Sequence, residues 1–374
     1  MKIGFDAKRA TANFTGLGNY SRTLIQNLQQ TYPENEYLLF TPVLKHAERY
    51  ELLTAHPLTR FILPRTWVGR KLKALWRTLY IGRLAAREGV NVFHGLSGEL
   101  PLFLARDIRA ILTVHDLIFM RYPGYYKRID RFFYKKKLEY ACHRADEIIA
   151  ISEQTKNDLI AFLQIAPDKI QVLYQACDDV FRQVAGQGRR DEIRTKYRLP
   201  PRFVLNVGTL EIRKNTMLLL QALHLLEKDT RLVLVGKRTD YTAELDRFIT
   251  ENDLTGRVTI LDSVPFQDLP VIYQLAEIFV YPSIFEGFGI PIEEALFSGV
   301  PVISSKGSCF TEAGGPETIY IEPTDAEALA SAIRILQYDE QKRAEMILNG
   351  RIFAEKFMPA LLSRQLIKAY TRAD

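Results

Sequence analysis

The chain has 374 residues, 47% of them hydrophobic and 25% charged. That balance excludes a disordered or fibrous chain, and the length exceeds what one hydrophobic core ordinarily serves, so two domains are expected. The net charge is +6, but residues 1–180 carry a surplus of roughly eight positive charges and the remainder is slightly acidic.

The start, MKIGFDAKRA, lacks the apolar segment of a signal peptide and reads directly as a strand. GNYSRTLIQNLQQ follows as a helix with Tyr20, Leu24, Ile25 and Leu28 on one face. EYLLFTP, VNVFHG and RAILTVHD are further strands, with ADEIIAIS and KIQVLYQA after them, each separated by helical stretches. The alternation predicts an open, mostly parallel sheet covered by helices. VAGQGRRDEIRTKYRLP breaks the rhythm: it is polar, holds Gly186 and Gly188, and ends in a Pro pair. It reads as a linker running into a helix. Alternation restarts with FVLNVGTLEIRKN, TRLVLVGK, RVTILDSV, IFVYPS, VPVISS and TIYIEP. The domains are therefore set at 1–184 and 185–354, with a helix over about 355–374, kinked at Pro359, crossing back onto the first.

Three cysteines without a CxxC pair point to no disulfide framework and no thiolate zinc site, and the six histidines make no HxxH spacing. No apolar run is long enough to span a membrane. A cytoplasmic location is expected. Two basic amphipathic segments, GRKLKALWRTLY and YYKRIDRFFYKKKLEY, make an anionic membrane surface an expected partner of the first domain. The other reading is two ordinary helices with solvated charges. No nucleic-acid motif accompanies them.

In open α/β sheets ligands bind beyond the carboxyl ends of the strands, so the loops there carry the candidates. In SIFEGFGIPIEEALFSG, Gly287 and Gly289 permit a tight turn and Pro291 suits the first turn of a helix. The amides of Phe288, Gly289 and Ile290 would face an anion such as a diphosphate. Glu286 and Glu294 flank that seat as acceptors for a ligand rich in hydroxyls; Glu293 and Glu294 also serve, more simply, to complement the helix dipole. In GTLEIRKN, Arg213 and Lys214 sit where cations neutralise a diphosphate, or form a solvated charge pair. In TGLGNYSRTL, Gly16 lets a ligand approach, although the third glycine of a dinucleotide fingerprint is missing. In LTVHDLIF, His115 ends a hydrophobic strand, where it binds substrate, shuttles a proton or is structural; His94 is a weaker case.

Taken together these residues resemble the retaining GT-B glycosyltransferases of family 4, glycosyl transferase group 1, over nearly the whole chain. The carriers are the E-x7-E element from Glu286 to Glu294, VGTLEIRKN, VHDLIF, ADEIIAISEQTKNDL and TGLGNYSRTL. Thr209, where many members carry Arg, and YQACDDVF, where many carry Asn-Gly-Val-Asp, depart from the pattern. The resemblance implies two Rossmann-like domains facing a central cleft. It implies that Arg213 and Lys214 hold the donor diphosphate, Glu294 the ribose and Glu286 the donor sugar. His115 would contact the transferred sugar, Gly16 would let the first domain approach the phosphates, and Arg, Lys and amides would replace a metal. The implied activity is transfer of a hexose, mannose by likeness to polysaccharide mannosyltransferases, from a GDP- or UDP-sugar to a glycan or lipid-linked acceptor with retention. Two further readings stand beside it: a soluble sugar or sugar-phosphate acceptor, and a non-catalytic nucleotide-sugar-binding protein.

Overall fold

The computed structural model describes residues 1–13, 16–45 and 50–371. Short aliphatic strands separated by helices have the long crossovers that parallel pairing requires. They pair in this way in two separate units, Met1–Ala176 with Phe357–Asp374, and Cys177–Lys356.

The first unit is built on β1 (Lys2–Asp6), β2 (Glu36–Phe40), β3 (Thr59–Ile62), β4 (Val92–Gly95), β5 (Arg109–Val114), β6 (Glu147–Ala150) and β7 (Ile170–Val172), in the order β3-β2-β1-β4-β5-β6-β7. Ile3 lies beside Tyr37 on one side and Val92 on the other, both pairings parallel. Successive strand residues point to opposite faces, giving two apolar layers. Leu38, Phe93 and Leu112 pack with Trp76, Ile81, Leu138 and Leu159. Ile3, Phe5 and Ile111 pack with Ile25, Leu28, Leu362, Leu366 and Tyr370. The last three belong to the helix Pro359–Thr371, so the tail is part of this core. Arg109 Nε also donates to the carbonyl of Ala369 at 2.8 Å.

The second unit holds β8 (Val204–Val207), β9 (Leu232–Val235), β10 (Val258–Leu261), β11 (Ile278–Tyr281), β12 (Val302–Ser305) and β13 (Ile319–Ile321), ordered β10-β9-β8-β11-β12-β13. Its core joins Val204, Leu234, Val280 and Ile303 to Leu219, Leu329 and Ile333 on the covering helices. This unit begins at Cys177, ahead of the polar stretch read as the linker. Phe181, 1% exposed, packs edge-on against Tyr273 and Phe266 and anchors the preceding turn. The polar stretch itself forms the helix Gln187–Tyr197. Strand order reverses between β1 and β4 and between β8 and β11, so each sheet has its crevice at the carboxyl ends of those pairs. Among the described residues no helix is long and apolar enough to cross a membrane.

Candidate active site

The second-unit crevice is built where β8 and β11 end. After β8 the chain makes a short turn, Ile212–Lys214, and Asn215 takes the left-handed conformation at φ 58°. Asn215 Nδ2 donates to the carbonyls of Pro282, at 3.1 Å, and Pro323, at 2.8 Å. The amide of Ile284 donates to the Arg213 carbonyl at 2.9 Å. The two loops are thus tied together, and their charges meet. Glu286 Oε1 lies 2.7 Å from Arg213 Nη1 and 2.7 Å from Lys214 Nζ. Arg213 also donates to the Phe285 carbonyl and to Glu211, each at 2.7 Å. Lys214 Nζ stands 2.6 Å from the Tyr281 hydroxyl and over its ring. Burial works to raise the Glu286 carboxyl, but Lys214 and Arg213 outweigh it and hold it at about 2. Both cations are pushed up in return: burial opposes their charge, and Glu286 more than offsets it.

Arg213 and Lys214 are therefore not a solvated pair. They form a neutralised, largely buried cluster with Glu286 and Glu211, and the Glu286 oxygen expected to face a sugar is held by the two cations. The chain then turns. Gly289 sits at φ 120°, a conformation that side-chain-bearing residues rarely adopt, and the helix Ile290–Ser298 starts behind it with Pro291 in its first turn. In its first turn the Ile292 amide donates to the Gly289 carbonyl at 2.8 Å. The turn is braced from outside: Ser308 Oγ donates to the Glu286 carbonyl at 3.0 Å, and Cys309 is buried beneath it. Phe288 is buried too.

Glu294 lies one turn into that helix, 8% exposed, and accepts from the Tyr273 hydroxyl at 2.8 Å. Burial raises its carboxyl to about 7, with Tyr273 opposing and Asp178 adding to the rise. Glu293, read as a charge complementing the helix dipole, is instead fully buried. Neither of its oxygens makes a well-formed hydrogen bond, and burial, then Glu294, push its carboxyl well up. Burial thus works against the charge that complementing a dipole would need.

In the first unit, His115 follows the end of β5. Its Nε2 lies 2.8 Å from the Leu96 carbonyl and its Nδ1 2.9 Å from Gln175 Nε2, so Nε2 carries the proton and Nδ1 accepts. The Tyr20 ring meets it edge-on at 4.6 Å. Burial lowers its proton affinity to about 4, the Leu96 carbonyl opposing and Arg9 adding to the fall. Both ring nitrogens are thus engaged within the first unit. His94 is a core residue, bonded to Tyr370 at 2.6 Å and Thr113 at 2.7 Å. Gly16 opens the helix Gly16–Thr31, and among the described residues nothing lies within 4 Å of where its Cβ would stand, whereas a Cβ at Gly18 would fall 1.9 Å from the Asn13 carbonyl oxygen. Thr15 lies outside the described residues.

The structure thus joins Arg213, Lys214 and Glu286 in one cluster and places Glu294 beyond the Gly287–Ile290 turn; His115 and Gly16 belong to the other unit. Tyr281, Tyr273, Asn215 and Ser308 were not singled out from the sequence. A hydroxyl closing the apolar run IFVY was a signal for Tyr281. Nothing local pairs Tyr273 with Glu294. Among the described residues no group of three or more His, Cys, Asp or Glu is placed to hold a metal.

Residues 14–180 match the model of glycosyltransferase family 4, and residues 189–353 that of glycosyl transferases group 1. The chain belongs to this glycosyltransferase family. Its relatives include the O-antigen chain mannosyltransferase B of Escherichia coli, 28% identical with 99% of both chains covered. The O-antigen chain mannosyltransferase RfbU of Salmonella typhimurium is 29% identical over 60% of each chain. Among solved structures, Anabaena Alr3699/HepE in complex with UDP and glucose superimposes with a TM-score of 0.78 at 20% identity, covering 98% of both chains. WaaG, a glycosyltransferase of lipopolysaccharide biosynthesis, does so at 0.73 and 15%, covering all of both. The two Rossmann-like units of this glycosyltransferase are those of the GT-B fold.

Proposed function

We propose that this glycosyltransferase moves a mannosyl group from a GDP- or UDP-sugar onto a glycan or lipid-linked acceptor with retention, in the synthesis of a cell-surface polysaccharide or lipopolysaccharide. The observation that carries this reading is the pairing of Arg213 and Lys214 beside the Gly289 turn, two cations and a helix start at one strand-order reversal. A diphosphate suits that seat, with the cations serving where other enzymes use a metal. Glu294, oriented by Tyr273, is assigned the ribose hydroxyls, Glu286 the sugar, and His115 a binding contact to the transferred sugar. The names of the relatives support mannose and O-antigen, and the UDP complexes of HepE support a nucleotide-sugar donor. Lys214→Ala is expected to lower sugar transfer by about 100-fold or more while the fold persists. Full activity in the purified variant would remove Lys214 from the site. Stabilisation by GDP, UDP and ADP, compared in thermal unfolding, identifies the base.

The same reading includes a peripheral position on an anionic membrane. Its support is the helix Arg128–Arg144, whose Ile129, Phe132 and Phe133 are 71%, 59% and 56% exposed among Arg128, Lys135 and Lys136. Apolar side chains on an ordinary surface helix would instead face the core. Trp67 is exposed as well, although Trp76 in the neighbouring helix is buried. Co-sedimentation with phosphatidylglycerol vesicles should occur at low salt and weaken at high salt. No binding at low salt refutes it.

A further inference from the structure

The first unit has its own crevice at the carboxyl ends of β1 and β4, and the residues there are charged. Asp6 closes β1, Lys8 and Arg9 follow in the short helix Lys8–Ala12, and Glu99 lies beyond β4. Arg77 enters from the helix Lys73–Leu79 with Nε 2.6 Å from Asp6 Oδ2 and its Nη2 on Glu99. Lys137 Nζ lies 3.6 Å from Glu99 Oε1. Both carboxylates are thereby engaged by Arg77 and Lys137. Lys8 and Arg9 are both half-buried, and among the described residues neither side chain has an ion-pair or hydrogen-bond partner. Among the described residues four cations thus face two carboxylates. Burial, then Arg77 and Arg9, hold the Lys8 ammonium below its ordinary range, and the charge of Arg9 is felt at His115. Glu99 and Asp6 act on Lys8 only at a distance, and half-buried cations without a direct partner at a strand-order reversal are an arrangement that an anion completes.

We propose that Lys8 and Arg9, with Arg77 fixed behind them by Asp6 and Glu99, form an anion seat on the first unit that takes a phosphoryl group of the acceptor. An ammonium next to a guanidinium fork suits a tetrahedral dianion better than a single carboxylate. Lipid-linked diphosphates and free sugar phosphates share that chemistry. The assignment of the ligand to the acceptor rests on the transferase reading above; the seat itself does not.

The test is calorimetric titration of the full chain with inorganic pyrophosphate. Arg213→Gln/Lys214→Gln, which silences the nucleotide seat, should retain one pyrophosphate site. Adding Lys8→Gln/Arg9→Gln should weaken that site by about 10- to 100-fold, the loss expected for charge-assisted bonds. Arg9→Lys keeps the charge and should recover most of the binding, which separates the seat from a folding defect. No residual site in the first variant, or one indifferent to Lys8→Gln/Arg9→Gln, overturns the proposal. Failure of the nucleotide reading looks different: UDP and GDP would bind Arg213→Gln/Lys214→Gln undiminished. Geranyl diphosphate and mannose 1-phosphate are then titrated in the same background. The tighter of the two names the source, and binding of neither overturns the proposal.

Discussion

Glu286 is the residue whose replacement reports most directly on the second-unit cluster. Glu286→Gln keeps the shape and removes the charge that Arg213 and Lys214 share. The carboxyl falls from the ordinary 4.5 to about 2 on folding. At about 1.36 kcal/mol per decade of acidity, that is roughly 3 kcal/mol of native-state preference for the ionised form. The group is 9% exposed, so solvent screening takes little of it. Because the folded value is depressed, this stability is complete above about pH 5 and disappears as the pH falls through 4.5 towards 2. Denaturant unfolding of Glu286→Gln, followed in the transition that UDP or GDP shifts, should therefore show a loss of about 3 kcal/mol at pH 7 that narrows below pH 4.5. The two cations left behind still attract a diphosphate. UDP or GDP should accordingly stabilise the variant at least as much as the wild type, while sugar transfer is lost. A variant as stable as wild type at pH 7, or a deficit that does not change with pH, would refute the charge cluster as the cause.

Other substitutions address the surrounding groups. Tyr281→Phe removes the hydroxyl that holds Lys214 and should lower kcat/KM by about tenfold, with no further loss in a Lys214→Ala background. Burial raises Glu294 from the ordinary 4.5 to about 7, so the native state loses stability as the pH rises from 4.5 to 7 and does not regain it above. Glu294→Gln should therefore melt higher than wild type at pH 8, with the gain gone below pH 4.5, and should bind nucleotide more weakly. His94 is held neutral by burial, lowered to about 3, between Tyr370 and Thr113. His94→Phe should destabilise the first unit by about 1–3 kcal/mol, read by denaturant unfolding, and leave UDP or GDP binding unchanged.

The sequence alone determined the two βα units, because strand and helix periodicities are local and a run such as RLVLVGK needs no distant partner to be read. It also marked the loops, since ligands gather at strand carboxyl ends and Arg213, Lys214, Glu286 and Gly289 stand there in plain order. Gly287 and Gly289 were legible as turn residues, while the positive φ of Gly289 is a property of the fold. What only the tertiary structure decided was which charges meet. Glu286 and the Arg213–Lys214 pair are more than seventy positions apart, and their mutual pairing follows from β8 and β11 being neighbours in the sheet. Burial is likewise a property of the fold: adjacent Glu293 and Glu294 look alike in the chain, yet one is enclosed without a well-formed hydrogen bond and the other is met by Tyr273. The unit boundary moved to Cys177 because Phe181 packs against residues of α/β segments far along the chain, a contact that local polarity does not encode.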